Sequence, residues 1–423
     1  MTDDFEGHWL HGLPPDWTEK RADFLCNTHR VMVDPDDYGD DLVAHYSIPH
    51  VQQTGQPLIE PASEIDSTKL LIETPILLVS KLNPSKRTVC TAEPHSEYPT
   101  LASGEFVAVN SDKIDGRYAY YLWCSGKVAD RLCSLVQSAT RSHQRVSPAD
   151  ILKLPWKWPP RDTQRQIARF LDEKTALIDE LVARKRELLD RLAEHRQSII
   201  TRAVIKGLRA HVSMKSSGID CIGTIPAHWS LTPFKWRCQV KSGQVDPTEP
   251  QYATMTLVAP DHIESCTGRL CRTTSAAEQG AISGKYLCPD GVVLYSKIRP
   301  ALRKAVIYDG ECLCSADVYA IDPGRDVLRK YLFYFLLTDA FATYADRESL
   351  RVAMPKVNQE ALGAFPIPVP DLEEQREIAR FCDDLDADYG DAVDNVRESI
   401  AMLNEYRSAY ITVAVTGQVA GLR

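Results

Sequence analysis

Two stretches of this chain carry apolar or long-stemmed residues at alternating steps of three and four. The first comprises Leu171, Lys174, Ile178, Leu181, Lys185, Leu188, Leu192, His195 and Ile199; the second comprises Cys382, Leu385, Tyr389, Ala392, Val396, Ser399, Leu403, Tyr406 and Tyr410. That spacing predicts two long helices, each with a heptad-like a/d seam. At about 1.5 Å per residue, forty helical residues span roughly 60 Å. Neither seam is apolar enough to stand alone in water, so each helix needs a partner. Ahead of each helix lie about 145 residues of short β-branched runs broken by Gly, Pro, Asn and Asp, the pattern of a strand-rich domain. Prolines close each such region: Pro159-Pro160 before the first helix and Pro366-Ile367-Pro368-Val369-Pro370 before the second.

The two halves are copies of one plan. Gln164-Arg165-Gln166-Ile167-Ala168-Arg169-Phe170 returns as Gln375-Arg376-Glu377-Ile378-Ala379-Arg380-Phe381, 211 residues later. The register holds to the helix ends, where Glu194, Arg196, Ile200 and Thr201 reappear as Glu405, Arg407, Ile411 and Thr412. Each half opens on a Pro-x-x-Trp signature, Pro14 to Trp17 and Pro226 to Trp229. Leu78 to Pro84 answers Leu294 to Pro300, Ser103 to Phe106 answers Ser315 to Val318, and aromatic helices are expected at Tyr118–Leu122 and Tyr331–Leu337. A period this long is a duplicated domain-plus-helix module and not a solenoid, whose repeats run roughly 20 to 50 residues. Residues between the landmarks differ, which reads as one fold carrying two recognition surfaces.

Composition changes this picture in one respect. The formal net charge is −9, which argues against a nucleic-acid partner until it is located. Between Asp371 and Glu405 there are twelve acidic residues and three arginines, so this helix carries the whole imbalance. The remainder is neutral overall and free to present basic faces. The first helix is mildly basic, with Arg184, Lys185, Arg186, Arg191, Arg196 and Arg202, so the two helices are matched in charge. Twelve cysteines without a framework spacing fit a reducing cytoplasm. The acidic start Met1 to Glu6 does not read as a signal peptide, and the longest apolar run, Tyr331 to Leu337, is too short to cross a bilayer.

The familiar catalytic and cofactor-binding patterns are missing from the sequence. There is no Gly-x-Gly-x-x-Gly after a strand and no phosphate loop. Asn83-Pro84-Ser85-Lys86 is the nearest string to an aminomethyltransferase Asn-Pro-Pro-Tyr motif, and it lacks the second proline and the aromatic residue. Asp172-Glu173-Lys174 lies on the predicted helix, where a solvated charged face is expected. Cys312-x-Cys314 and Cys266-x4-Cys271 lack partners at zinc spacing, and His262 beside them reads as a surface residue.

The cations cluster in equivalent places. Phosphates need cations and base edges need planar donors. Lys81, Asn83, Lys86 and Arg87 in the first half are answered by Lys297, Arg299, Arg303 and Lys304 in the second, with Lys285 nearby. A second set precedes each helix: Arg141, Gln144 and Arg145, then Arg347, Arg351 and Lys356. These are the candidate DNA-binding residues. Tyr118, Tyr120 and Tyr121 are expected in the core and not stacked on bases.

With the Pro-x-x-Trp opening, the Ser-Lys-x-x-Pro strand, the Gln-x-x-Ile-Ala-x-Phe helix start and the late Glu-x-Arg in place, the chain resembles the specificity subunits of type I restriction–modification systems, essentially from end to end. The resemblance implies an α+β fold of two similar target recognition domains, residues 1–158 and 213–369. A conserved spacer helix follows each, at 159–212 and 370–423, and the two pack as an antiparallel coiled coil with pseudo-two-fold symmetry. It implies a non-catalytic subunit that reads an asymmetric, two-part target in double-stranded DNA and docks two methyltransferase subunits, with restriction–translocase subunits where the system has them. No cofactor is implied on this chain; S-adenosylmethionine, ATP and Mg belong to the partners, which would methylate adenine N6. The helices would act as a ruler, so four residues inserted near Arg191 should lengthen the unread gap in the methylated motif. Departures are Trp156-Lys157-Trp158 against Ile367-Pro368-Val369, Gly390 within the second seam, and Gly417-Gln418 in place of a Lys-Gly ending. A two-headed protein scaffold and an orphan DNA-binding subunit without active partners are the rival readings.

Overall fold

Short strands bounded by Gly, Pro, Asn and Asp pair into small, twisted, mostly antiparallel sheets, because no run is long enough to build a wide one. The computed structural model describes residues 9–136, 144–349 and 355–422. The chain divides into two units, Met1–Lys185 with Glu398–Arg423, and Arg186–Arg397. Each long helix therefore contributes one part to each unit.

In the first unit one four-stranded sheet has the order Asn27–His29, Phe106–Asn110, Ile76–Ser80, Val89–Ala92, antiparallel throughout. A five-stranded sheet has the order Met32–Val33, Lys69–Leu71, Thr100–Ser103, Leu42–Tyr46, Leu58–Pro61, and its one parallel pair is Leu42–Tyr46 with Thr100–Ser103. Thr18–Arg21 forms a separate ribbon with Pro155–Trp158. The second unit repeats this. Gln239–Lys241, Val318–Asp322, Val293–Ser296 and Ala305–Ile307 make the first sheet. Gln244–Val245, Lys285–Cys288, Cys312–Cys314 and Leu257–Val258 make the other, again with one parallel pair. The ribbon is Ser230–Pro233 with Pro366–Val369. Among the described residues the second unit shows no counterpart of the outer strand Leu58–Pro61.

The aromatic helices occur as Gly116–Cys124 and Arg329–Leu337. Tyr118 and Tyr121 are buried, as are Tyr331, Phe335 and Phe341. The first core gathers Trp17, Tyr118, Trp123, Trp156, Ile167, Leu171, Ile411 and Val415. The second gathers Trp229, Tyr331, Phe341, Phe365, Ile200, Val204, Ile378 and Cys382. Each core is closed by the start of one long helix and the end of the other.

Those helices are Arg161–Lys206 and Leu372–Val415. Within the first unit they run antiparallel: the Phe170 and Tyr410 rings lie 6.1 Å apart, and Arg407 Nε donates to Asp179 Oδ1 at 3.0 Å. Within the second, Arg196 Nε donates to Asp386 Oδ1 at 2.7 Å. Gly390 does not interrupt its helix; a Cβ there would meet Arg269 Nη2 at 3.3 Å.

The repeated landmarks now have physical roles. Gln164 and Gln375 are buried, and each side-chain oxygen accepts from the backbone before its aromatic helix, Asp115 N at 2.9 Å and Leu328 N at 2.7 Å. The Pro-x-x-Trp tryptophans pack on helix ends. Gly417 has φ +69°, and a Cβ there would come within 2.9 Å of Trp17; Gly207 has φ +75° and faces Trp229 at 3.2 Å. A left-handed glycine ends each helix, and the missing side chain admits the indole.

The seam itself is corrected. In the second helix every expected seam position but Tyr406 is buried or half-buried; in the first, Leu171, Ile178 and Leu192 face inward, wholly or in part, but the alternate positions move on by one residue. Val182 is 6% exposed where Leu181 is 48% exposed, and Thr175 and Arg196 are buried where Lys174 and His195 are exposed. The helices pack on globular domains as well as on each other, so the interior face follows the 3.6-residue period of a broad stripe and not a narrow 3.5-residue seam. The polar residues brought inward are hydrogen-bonded. Thr175 Oγ1 lies 3.1 Å from Tyr121 Oη, and Gln197 Nε2 donates to Leu337 O at 2.6 Å. Asp172, expected on a solvated face, accepts from Tyr121 Oη at 2.7 Å and pairs with Arg117. Among the described residues no helix is long and apolar enough to cross a membrane.

Candidate nucleic-acid interface

The candidate cations sit on one turn that occurs in both units. A central strand, Ile76–Ser80 or Val293–Ser296, ends on a serine whose hydroxyl donates to a carbonyl two residues on, Ser80 to Leu82 and Ser296 to Ile298, each at 3.1 Å. A short 3-10 turn follows, Pro84–Lys86 or Pro300–Leu302, with proline fixing its first φ. Left-handed residues bracket the turn on both sides: Asn83 (φ 46°) and Arg87 (φ 50°) in the first unit, Arg299 (φ 48°) and Arg303 (φ 47°) in the second. Four non-glycine residues in this sterically costly region at matching places form a repeated feature, and such strain concentrates at functional sites.

The segment ahead of each long helix docks on this turn. Asn83 N donates to Gln144 O at 2.8 Å, Gln144 N donates to Asn83 Oδ1 at 3.3 Å, and Leu82 and Arg145 form an antiparallel bridge. In the second unit Arg299 N donates to Pro355 O at 3.0 Å, Val357 N to Lys297 O at 2.8 Å, and Ile298 bridges Lys356. Gln144 and Arg145 in the first unit and Lys356 in the second, about sixty residues on in sequence, thus come to lie beside the turn.

The individual side chains differ in what they are free to do. Lys86, Arg145, Arg299, Arg347 and Lys356 are exposed. Lys86 Nζ reaches Gln52 Oε1 at 3.3 Å, and Arg145 pairs with Glu105 at 2.5 Å. Lys81 donates to Gly104 O at 2.8 Å, with Glu105 at 3.8 Å. Arg87 holds Ser408, while Arg303 pairs with Asp339 at 2.6 Å. Lys304 donates to Pro260 O at 2.7 Å, and Lys297 lies 5.4 Å from the Tyr319 ring. Lys285 is buried, its ammonium donating to Ser283 O and Oγ at 2.7 Å, so it fastens its own loop and does not join the exposed cluster. Its counterpart Lys69 does the same with Ser67 and Asp66, and burial pushes that ammonium's pKa down. Arg141 and Arg351 lie outside the described residues.

Two further expectations change. His262 is buried at 3% exposure, its Nδ1 3.0 Å from Leu257 O and 3.3 Å from Ala259 N, because the ring closes the Pro260–His262 turn. Cys271 donates its thiol to His262 O at 3.1 Å. Glu105 escaped sequence reading although it sits at the centre of the first cluster; its signal was the repeat, since Lys81 N donates to Glu105 O as Lys297 N does to Asp317 O, both at 2.9 Å.

The surface is thus cationic, donor-rich and rigid, and it occurs twice. A profile described as the type I restriction modification DNA specificity domain matches residues 278–393. The EcoDI specificity subunit of Escherichia coli is 30% identical over 290 residues, which cover 65% of this chain and 64% of that protein; the match spans less than two thirds of that relative's length. The MjaVIII specificity subunit of Methanocaldococcus jannaschii is 21% identical over 314 residues, 71% of this chain and 70% of that protein. A solved structure from work on complex assembly and conformational transition of the type I R-M system shares the fold, with a TM-score of 0.67, 17% identity, and 96% of this chain and 99% of that chain covered.

Proposed function

We propose that the chain is a specificity subunit of the type I restriction–modification kind, a reading supported by its likeness to that domain profile and to the EcoDI subunit, and that it reads a two-part sequence in double-stranded DNA. The observation that supports the reading best is the duplicated turn, strained at both ends and clamped by the pre-helix segment, which presents Lys86, Asn83 and Arg145 in one unit and Arg299 and Lys356 in the other. Recognition domains at 1–158 and 213–369 would each take one half-site, with the helical regions 159–212 and 370–423 between and after them. Because the exposed residues on the two turns differ, the target is asymmetric.

The chain performs no chemistry in this reading. Two modification subunits bring S-adenosylmethionine and flip the target adenine out of the stack; restriction subunits, where present, bring ATP and Mg. Leu177, Leu181, Met402 and Tyr406 lie on the first unit's parts of the long helices and are 48–58% exposed, apolar side chains in water that suit docking of those subunits. The complex would work in the cytoplasm, on the cell's own DNA.

Genome-wide mapping of N6-methyladenine in the native host, with and without this gene, tests the proposal. The expected result is loss of one interrupted motif on deletion. An unchanged methylome in a host whose complex assembles would contradict it.

A further inference from the structure

The two copies of the turn keep their scaffold and change their tip. Ser80 and Ser296, Lys81 and Lys297, Pro84 and Pro300, and Arg87 and Arg303 are the same residues in matching places. The first left-handed position is different: Asn83 in one unit, Arg299 in the other. Phosphates are alike along every duplex, so a residue that touches only phosphate has no reason to differ between two half-sites, whereas a residue that reads base edges does. Both residues are base-reading types. Asparagine suits the adenine edge, and the forked guanidinium of arginine suits O6 and N7 of guanine.

The shared arginines are already engaged. Arg303 is neutralised by Asp339 at 2.6 Å and Arg87 holds Ser408, so this position serves the scaffold. Asn83 is partly engaged through its Oδ1 on Gln144 N. Arg299 is exposed, and no hydrogen bond or ion pair holds its guanidinium among the described residues. Its backbone is fixed from both sides, N–H to Pro355 O at 3.0 Å and carbonyl from Leu302 N at 2.9 Å. Its φ of 48° would suit glycine or asparagine better. A strained, immobilised backbone carrying a free planar donor is the arrangement that direct readout requires, because pre-organisation limits the entropy lost on binding.

We propose that Arg299 determines specificity by reading a guanine edge in the half-site of the second recognition domain. This rests on the recognition reading above and adds the base and the residue to it.

The test is the methylome of the native host carrying Arg299→Gly or Arg299→Asn, both of which tolerate a positive φ and so leave the turn intact. The expected result is that one G·C position, in one half-site only, loses discrimination by roughly tenfold to a hundredfold, while the other half-site is unchanged. A motif unchanged in both variants would overturn the assignment. So would equal weakening on every duplex with a shallower salt dependence of binding by the purified complex, the signature of a phosphate contact. If the unaltered complex methylates no interrupted motif, the recognition reading itself falls and takes this assignment with it; that failure shows in the parent strain alone.

Discussion

Arg196→Ala is expected to destabilise the second unit by about 2–3 kcal/mol, below the range for a fully buried ion pair because the Asp386 side chain is 25% exposed and water takes up part of the lost contact. The Arg196 side chain is 6% exposed. It donates to Asp386 Oδ1 at 2.7 Å and to Cys266 O at 2.8 Å, and it lies 5.5 Å from the Tyr389 ring. Without it, Asp386 keeps, among the described residues, the Tyr334 hydroxyl, 3.1 Å from its other oxygen, and that hydroxyl is already shared with Asp383 at 2.9 Å. Burial, with Asp386 and Asp383 beside it, pushes the Tyr334 phenol well up, so it stays a neutral donor and cannot replace the lost charge. The counterpart Arg407 pairs with Asp179, but its side chain is 28% exposed and that of Asp179 56%. Water screens that pair, so Arg407→Ala should cost roughly 1 kcal/mol or less. Calorimetric unfolding of the full chain with each variant checks the ranking. Equal losses at the two positions would show that burial does not set the worth of the repeated arginine.

Sequence periodicity was enough to find both long helices, both strand-rich regions and their duplication, because these depend on which residues enter the core. Trp17 and Trp229, Gln164 and Gln375, and Ile167 and Ile378 repeat since each fills the same kind of buried place in its unit. The seam of the first helix was misplaced by one residue at alternate positions because an a/d pattern assumes a helix facing only another helix. Leu181 and Leu188 satisfy that pattern and lie outside, while Thr175 and Arg196 break it and lie inside on hydrogen bonds that no one-dimensional pattern displays. His262 and Lys285 were misjudged for the same reason. Their polar atoms are satisfied by backbone and hydroxyl groups of nearby turns, which permits burial that residue type alone argues against. The cation clusters were legible as clusters, but their division into engaged and free side chains was not. Asp339 neutralises Arg303 from 36 residues away, and the left-handed bracket around each turn falls on Asn and Arg, where sequence would place glycine.

Phe365→Ala should cost the second unit about 3–5 kcal/mol, the range for truncating a buried phenylalanine, and, under the proposed function, the methylation of any site that this unit reads. Phe365 is fully buried. Its ring stacks on Tyr344 at 4.3 Å and meets Phe341 at 5.6 Å and Phe335 at 5.9 Å. It also stands at a junction. The helix Gln359–Ala364 ends just before it, the ribbon strand Pro366–Val369 begins just after it, and its carbonyl accepts from Phe234 N at 2.8 Å. The first unit uses Leu154 there, with Ala22 N donating to its carbonyl at 3.0 Å, so Phe365→Leu tests shape separately from apolarity. Three aromatic neighbours make a cavity that leucine fills incompletely, and a loss of roughly 1 kcal/mol is expected for that swap. The segment Pro355–Lys356, which clamps Arg299, is nine residues upstream of this junction, so loosening it should weaken recognition at temperatures below global unfolding. Methylation of the native motif, followed against temperature for both variants, would show this as an early loss in Phe365→Ala and a late one in Phe365→Leu. Coincident loss of methylation and of secondary structure in Phe365→Ala would mean that the clamp and the core of this unit melt as one.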